Sequence, residues 1–146
     1  MIDSWECAFQ NWTQSFPHEF EARRGYQITP FIPALCGEIV TDAATTEAFL
    51  FDFRTTIADL IENNYYKKFN TLCHKNKLEM HAEVIYGGPG YPPLDVLKTN
   101  QYADMPMSEF WTGTNGKTKT IEYNASKNLS PEFLASATLF NNKQEL

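Results

Sequence analysis

From Thr45 onward, apolar side chains recur at three- and four-residue intervals: Phe49, Leu50, Phe53, Ile57, Leu60, Ile61, Tyr65, Phe69 and Leu72. This spacing marks one face of an α-helix, and the run is too long for a strand. Thr45 or Thr46 is suited to cap its start, and Glu47 then falls in the first turn. Lys67, Lys68, His74, Lys75 and Lys77 load the far end with positive charge, which complements the helix dipole. The pattern predicts one amphipathic helix from Thr45 to Lys75. Such a stripe must be covered by another layer of structure.

The segments around it supply candidates for that layer. Apolar residues alternate at Leu78, Met80, Ala82, Val84 and Tyr86, and "GGPGYPP" follows as punctuation, so a strand over 78–86 ending in a loop is predicted. "PLDVLKTN" reads as a short helix. "YADMPMSEFW" reads as a further strand, interrupted by Pro106. Ser130-Pro131-Glu132 opens a last helix that runs from Phe133 to Phe140. Upstream, Pro17 to Arg24 forms a short helix closed by Gly25, followed by a proline-punctuated stretch. With a first strand at "DSWE", the order becomes strand, insertion, long helix, strand, short helix, strand, helix. Strands alternating with helices mean βαβ units and a parallel sheet. No linker divides residues 1–146, which read as a single segment of α/β class.

Charge narrows the possible partners. A net charge of −6 is opposed to a phosphate-binding surface, so nucleic acid is excluded as a partner. No apolar run is long enough to span a membrane, and the start lacks the basic and apolar regions of a signal peptide. Cys7, Cys36 and Cys73 show no metal-ligand spacing and are expected to be free thiols, buried or half-buried. Aromatic residues make up 14% of the chain, enough to fill a core and still leave rings for stacking on a sugar.

In parallel α/β folds, ligands bind at the carboxyl ends of the strands. Three strand ends here bring a glutamate: Glu6 in "DSWE", Glu83 before "YGGPG", and Glu109 before Phe110 and Trp111. Asp3, Trp5, Tyr86 and Trp111 lie close to them in sequence. Carboxylates for proton transfer beside rings that stack on a pyranose suit a carbohydrate site. Glu6 and Glu83 are the catalytic candidates, and Asp3, Trp5, Arg23, Arg24, Tyr86, Glu109 and Trp111 the substrate-binding ones. Each glutamate could equally be a solvated loop residue or the partner of a nearby arginine. Arg23 and Arg24 either contact substrate hydroxyls or neutralise one of these acids, the second being favoured. His81 shares a strand face with Glu83 and is expected to be a satisfied histidine within the sheet; His18 and His74 are expected at the surface.

"DSWE", "QNWT", "RRGY", "PFIPALCG", "FLFDFRTTIADLIENNYY", "HAEVIYGG" and "ADMPMSEFW" resemble, in this order, the catalytic barrel of glycoside hydrolase family 106, the α-L-rhamnosidases. The resemblance covers residues 2 to about 138 and implies a (β/α)8 barrel. It also implies inverting, calcium-assisted removal of terminal α-L-rhamnose from plant-type glycans. A complete barrel needs about 250 residues, so the expectation is a partial barrel of about three parallel strands with their helices. The remaining wall would come from the rest of a parent chain, secreted or periplasmic as is usual for the family. The resemblance makes Glu6 the general acid, with Glu83 as the alternative, and places the base on a later strand. Glu83 and Glu109 would then line the sugar pocket or help to hold calcium. Two other readings stand beside it: a catalytically inert or merely sugar-binding piece, and a complete small α/β domain with an unrelated role.

Overall fold

A computed structural model describes residues 1–2, 11–83 and 93–107. Helix α1 spans Phe16–Arg24 and ends at Gly25, whose φ of 80° is the left-handed conformation that glycine adopts without strain. A 3-10 helix follows over Thr29–Cys36 and stops at Gly37, φ 92°. Pro33 inside it withholds an N–H, which works against continuation as an α-helix.

The long helix is present but in three parts: α2 over Ala43–Ile61, a π-helical turn over Glu62–Tyr66, and α3 over Lys67–Lys75. Its cap is Asp42, not Thr45 or Thr46. Asp42 Oδ1 accepts from the Thr45 N–H at 2.8 Å and Oδ2 accepts from the Thr45 hydroxyl at 2.9 Å. The Thr46 hydroxyl instead ties the preceding loop, accepting from the Val40 N–H at 2.9 Å. With the start at Ala43, the first turn carries no acid, so Glu47 lies beyond it.

The hydrogen bonds from Thr45 hold the Asp42 carboxyl below its ordinary value of 3.8. A depressed folded-state pKa adds stability that is complete above the unfolded value and is lost as pH falls through the folded one. Asp42→Ala is therefore expected to lower the thermal midpoint near neutral pH. The gap from the parent protein should narrow as pH is taken below the ordinary carboxylate range; a gap that stays constant down to strong acid would exclude the cap as its cause.

Two clusters form the interior. In the first, Phe16 and Phe20 of α1 meet Phe49, Phe53 and Ile57 of α2, with Ile28 and Ala34 from the intervening segment. Much of the aromatic content resides here. Phe16 sets an edge against Phe53 at 5.3 Å, Phe20 stands at 90° to Tyr26, and Phe31 stacks on Phe49 at 5.1 Å. The second cluster joins Tyr66 to Ile2, Met80, Ala82 and Ala103, linking the helix to the strands.

The π turn accounts for there being two clusters. The buried apolar positions of α2 run Phe49, Phe53, Ile57, but the next buried residues are Glu62 and Tyr66. The extra residue in the turn rotates the inward face, so Tyr66 is fully buried in the second cluster and Tyr65 packs on it half-buried. Glu62, with 5% of its side chain exposed, accepts from the Tyr102 hydroxyl at 3.0 Å and pairs with Lys98 Nζ at 2.7 Å. Hydrogen bonding to Glu62 raises the Lys98 pKa, while burial and then the same carboxylate raise that of Tyr102.

Strand β1, His81–Glu83, pairs in parallel with β2, Met105–Met107, in the register His81↔Met105, Ala82↔Pro106 and Glu83↔Met107. Helix α4, Val96–Asn100, precedes β2 and is capped by Asp95, which accepts from the Lys98 N–H at 3.0 Å. On the other edge of β1, Ile2 makes a parallel bridge to Ala82, donating to His81 O at 2.8 Å and accepting from the Glu83 N–H at 3.1 Å. The described residues thus contain two parallel strands and this bridge. Pro106 does not interrupt β2. The Met105 N–H donates to Met80 O, so by alternation the position of Pro106 faces away from β1 and its missing N–H breaks no bond to that strand. The predicted helix from Phe133 to Phe140 lies outside the described residues.

Candidate functional site

Alternation along β1 sorts its residues into two environments. Met80 and Ala82 are fully buried, in the cluster with Tyr66, so this face of the strand looks into the helix layer. His81 and Glu83 take the opposite face and are half-buried. Because residues in register share a face, Met105 joins His81 there and Met107 joins Glu83. Ile2, opposite Ala82 and packed in the same cluster, belongs to the helix side.

Glu83 and Met107 are the last described residues of β1 and β2 and lie toward the carboxyl side of the pair. One carboxylate oxygen of Glu83 is sealed from solvent. A carboxylate toward the carboxyl side of β1, on the face away from the helices and beside a methionine, can bind a hydroxyl or exchange a proton with a ligand resting there. The sequence reading singled out Glu83 but not its methionine neighbours. Only the register identifies those, since Met105 and Met107 carry no chemical signature of their own.

Of the other residues singled out by sequence, Arg23 and Arg24 are placed on α1. Arg23 pairs with Glu19 one turn earlier. Arg24 pairs with Asp59 and donates to the Thr56 hydroxyl at 2.9 Å, which fastens α1 to α2. Both pair with acids on helices, and not with the strand-end glutamates they were expected to neutralise. Asp3, Trp5, Glu6, Tyr86, Glu109 and Trp111 lie outside the described residues, as does Cys7. His18 is exposed. His74 is also at the surface and pairs with Asp104 at 2.9 Å. His81 is half-buried, and Cys36 is exposed where a buried or half-buried thiol was expected, while Cys73 is half-buried. Proline and glycine hold the 3-10 segment at the surface, with Ala34 as its buried residue. Among the described residues no three His, Cys, Asp or Glu side chains converge as a metal site.

The profile of glycoside hydrolase family 106, described as alpha-L-rhamnosidase, matches residues 1–138. A protein of Formosa agariphila named "Putative beta-glucuronidase" is 43% identical over 113 residues, which is 77% of this chain and 9% of that protein. The solved structure of a rhamnosidase from Novosphingobium sp. PP1Y superimposes with a TM-score of 0.64 at 32% identity, over 77% of this chain and 10% of that one. The chain thus spans about a tenth of the length of these relatives.

Proposed function

The chain belongs to glycoside hydrolase family 106, the alpha-L-rhamnosidase family, and on that premise we propose that it supplies one wall of a rhamnoside-hydrolysing site. In this reading its parallel strands are part of a (β/α)8 barrel completed by further polypeptide. The observation that carries it is Glu83, the last described residue of β1, on the face turned from the helices. Barrel enzymes present their chemistry at the carboxyl edge of their strands.

Glu6 is the general acid that protonates the leaving glycosidic oxygen. A base on a later strand activates water on the opposite face of the sugar, which leads to inversion. Glu83 and Glu109 bind sugar hydroxyls, and Asp3, Trp5, Tyr86 and Trp111 complete the pocket with stacking rings and an additional acceptor. The substrate is a terminal α-L-rhamnose on a plant-type glycan. Calcium takes about 6 to 8 oxygen ligands; Glu83 offers one such group, and no cluster of three candidate ligands occurs among the described residues. Because this reading draws the base from a later strand, the segment by itself is expected to be catalytically inert.

The name of the Formosa relative raises a second substrate, a β-glucuronide. The test is to offer an aryl α-L-rhamnoside and an aryl β-D-glucuronide to the enzyme that carries this segment, and to follow the released sugar by NMR. Turnover of the rhamnoside with β-L-rhamnose as first product is expected. Preference for the glucuronide would overturn the substrate, and retention of configuration would overturn the mechanism. Hydrolysis by the purified chain alone would show that it holds a complete site.

A further inference from the structure

The pairing of β1 with β2 sets a carboxylate beside a thioether. Glu83 and Met107 are register partners on neighbouring parallel strands, so their backbones stand about 4.8 Å apart and their side chains leave the sheet on the same face. That face is opposite the one on which Met80 and Ala82 are buried with Tyr66. Both residues are half-buried. The pair formed by His81 and Met105 shares the face but lies two positions back along the strands, about 6.6 Å lower.

The two side chains ask for opposite chemistry within the span of one pyranose ring. A carboxylate accepts hydrogen bonds from hydroxyls and repels another carboxylate. Methionine offers a flexible, polarisable apolar surface and has no hydrogen to donate. A ligand lying across the pair therefore presents a hydroxyl toward β1 and an apolar group toward β2. Rhamnose is a 6-deoxy sugar, and its one apolar substituent is the methyl group on C5. The C4 hydroxyl sits on the adjacent ring carbon, so the two groups are neighbours in the sugar as Glu83 and Met107 are in the sheet. A uronic acid carries a carboxylate in place of that methyl group, which at this position would meet like charge from Glu83 and no donor from Met107.

We propose that Met107 determines sugar specificity by seating the C5 methyl group of a 6-deoxy sugar whose C4 hydroxyl is held by Glu83, and that the pair thereby rejects uronic acids. The proposal rests on the reading of this face as one wall of a rhamnoside site and adds the basis on which the sugar is chosen. Of the two substrates raised by the names of the relatives, the pair fits the rhamnoside and opposes the glucuronide.

The test offers three aryl glycosides to the enzyme that carries this segment: the α-L-rhamnoside, the α-L-lyxoside, which lacks only the methyl group, and the α-L-mannoside, which adds a hydroxyl to it. The parent enzyme is expected to favour the rhamnoside over the lyxoside by about tenfold or more in kcat/KM, the range for one carbon in an apolar pocket. Met107→Ala should bring this ratio toward one by slowing the rhamnoside and sparing the lyxoside. Met105→Ala, lower on the same face, should leave the ratio unchanged. Met107→Gln keeps the length of the side chain and makes its end polar, so it should shift preference from the rhamnoside toward the mannoside; this near-isosteric change decides the matter even if the alanine variant folds poorly. Glu83→Gln should slow all three substrates alike, because each has the C4 hydroxyl. A ratio unmoved by the Met107 variants, or an equal loss on all three sugars, would overturn the role of Met107, while rhamnoside turnover by the parent enzyme would leave the wall reading in place. A ratio that moves with Met105→Ala instead would overturn it in favour of that methionine. Failure of the parent enzyme to hydrolyse the rhamnoside would overturn the wall reading and the proposal with it.

Discussion

Replacing Glu6 by Gln in the enzyme that carries this segment is expected to lower turnover of an aryl α-L-rhamnoside by about 10² to 10⁴-fold, the range typical of a lost general acid. The amide keeps the shape and hydrogen bonding of the acid but has no proton to give to the departing oxygen. The loss should therefore depend on the leaving group. It is smallest for a nitrophenyl rhamnoside, whose phenolate leaves without help, and largest for an alkyl rhamnoside. A general base or a sugar-binding carboxylate shows no such dependence. Glu83→Gln serves as the comparison, because a residue that only contacts sugar hydroxyls should act mainly on KM when its interaction is equal in ground and transition states. Near-normal turnover of an alkyl rhamnoside by Glu6→Gln would remove Glu6 from the acid role. A leaving-group-dependent loss at Glu83 would transfer the role to that residue.

Phe49→Ala is expected to cost about 3 to 5 kcal/mol, the range for deleting a buried phenyl ring from a core. Phe49 is essentially inaccessible and is the ring at which the first cluster converges, with Phe31 stacked at 5.1 Å, Phe20 at 5.9 Å and Phe53 at 6.1 Å. These neighbours come from α1, the 3-10 helix and α2, so a cavity at Phe49 loosens three elements together. Against a total stability of about 5 to 15 kcal/mol for an ordinary domain, this is a large fraction. Urea denaturation gives the measurement, and Phe51→Ala is the control. Phe51 is 65% exposed two positions away on the same helix, and its removal should stay within about 0.5 kcal/mol. Similar losses at the two positions would mean that the cluster does not stabilise the helix as described.

The exposure of Phe69 and Leu72 on α3 follows from the way the same helix solves two packing problems. Phe49, Phe53 and Ile57 pack with α1, Ile61 touches both clusters, and Tyr66 packs with the strands. One straight α-helical stripe could not do both and also bring Glu62 to Lys98 and Tyr102. The π turn supplies the rotation. Its consequence is that Phe69 and Leu72, which continue the sequence pattern, point to the side.

Much of the fold was legible along the chain because it depends on neighbours close in sequence. The long helix, the closure of α1 by Gly25, the short helix before β2 and the parallel relation of the strands all follow from periodicity and turn chemistry. The alternation that puts His81 and Glu83 on one face of a strand was legible for the same reason. Tertiary structure alone decided which of two adjacent side chains is buried: Tyr66 over Tyr65, and Glu62 despite its charge. The partners that decide it are distant. Tyr102, whose hydroxyl satisfies Glu62, is 40 residues away, and Arg24 meets Asp59 across 35. Hydrophobic spacing records that a helix has surface to remove from water; it carries no information about a hydrogen-bond donor on a remote segment that makes burial of a carboxylate tolerable.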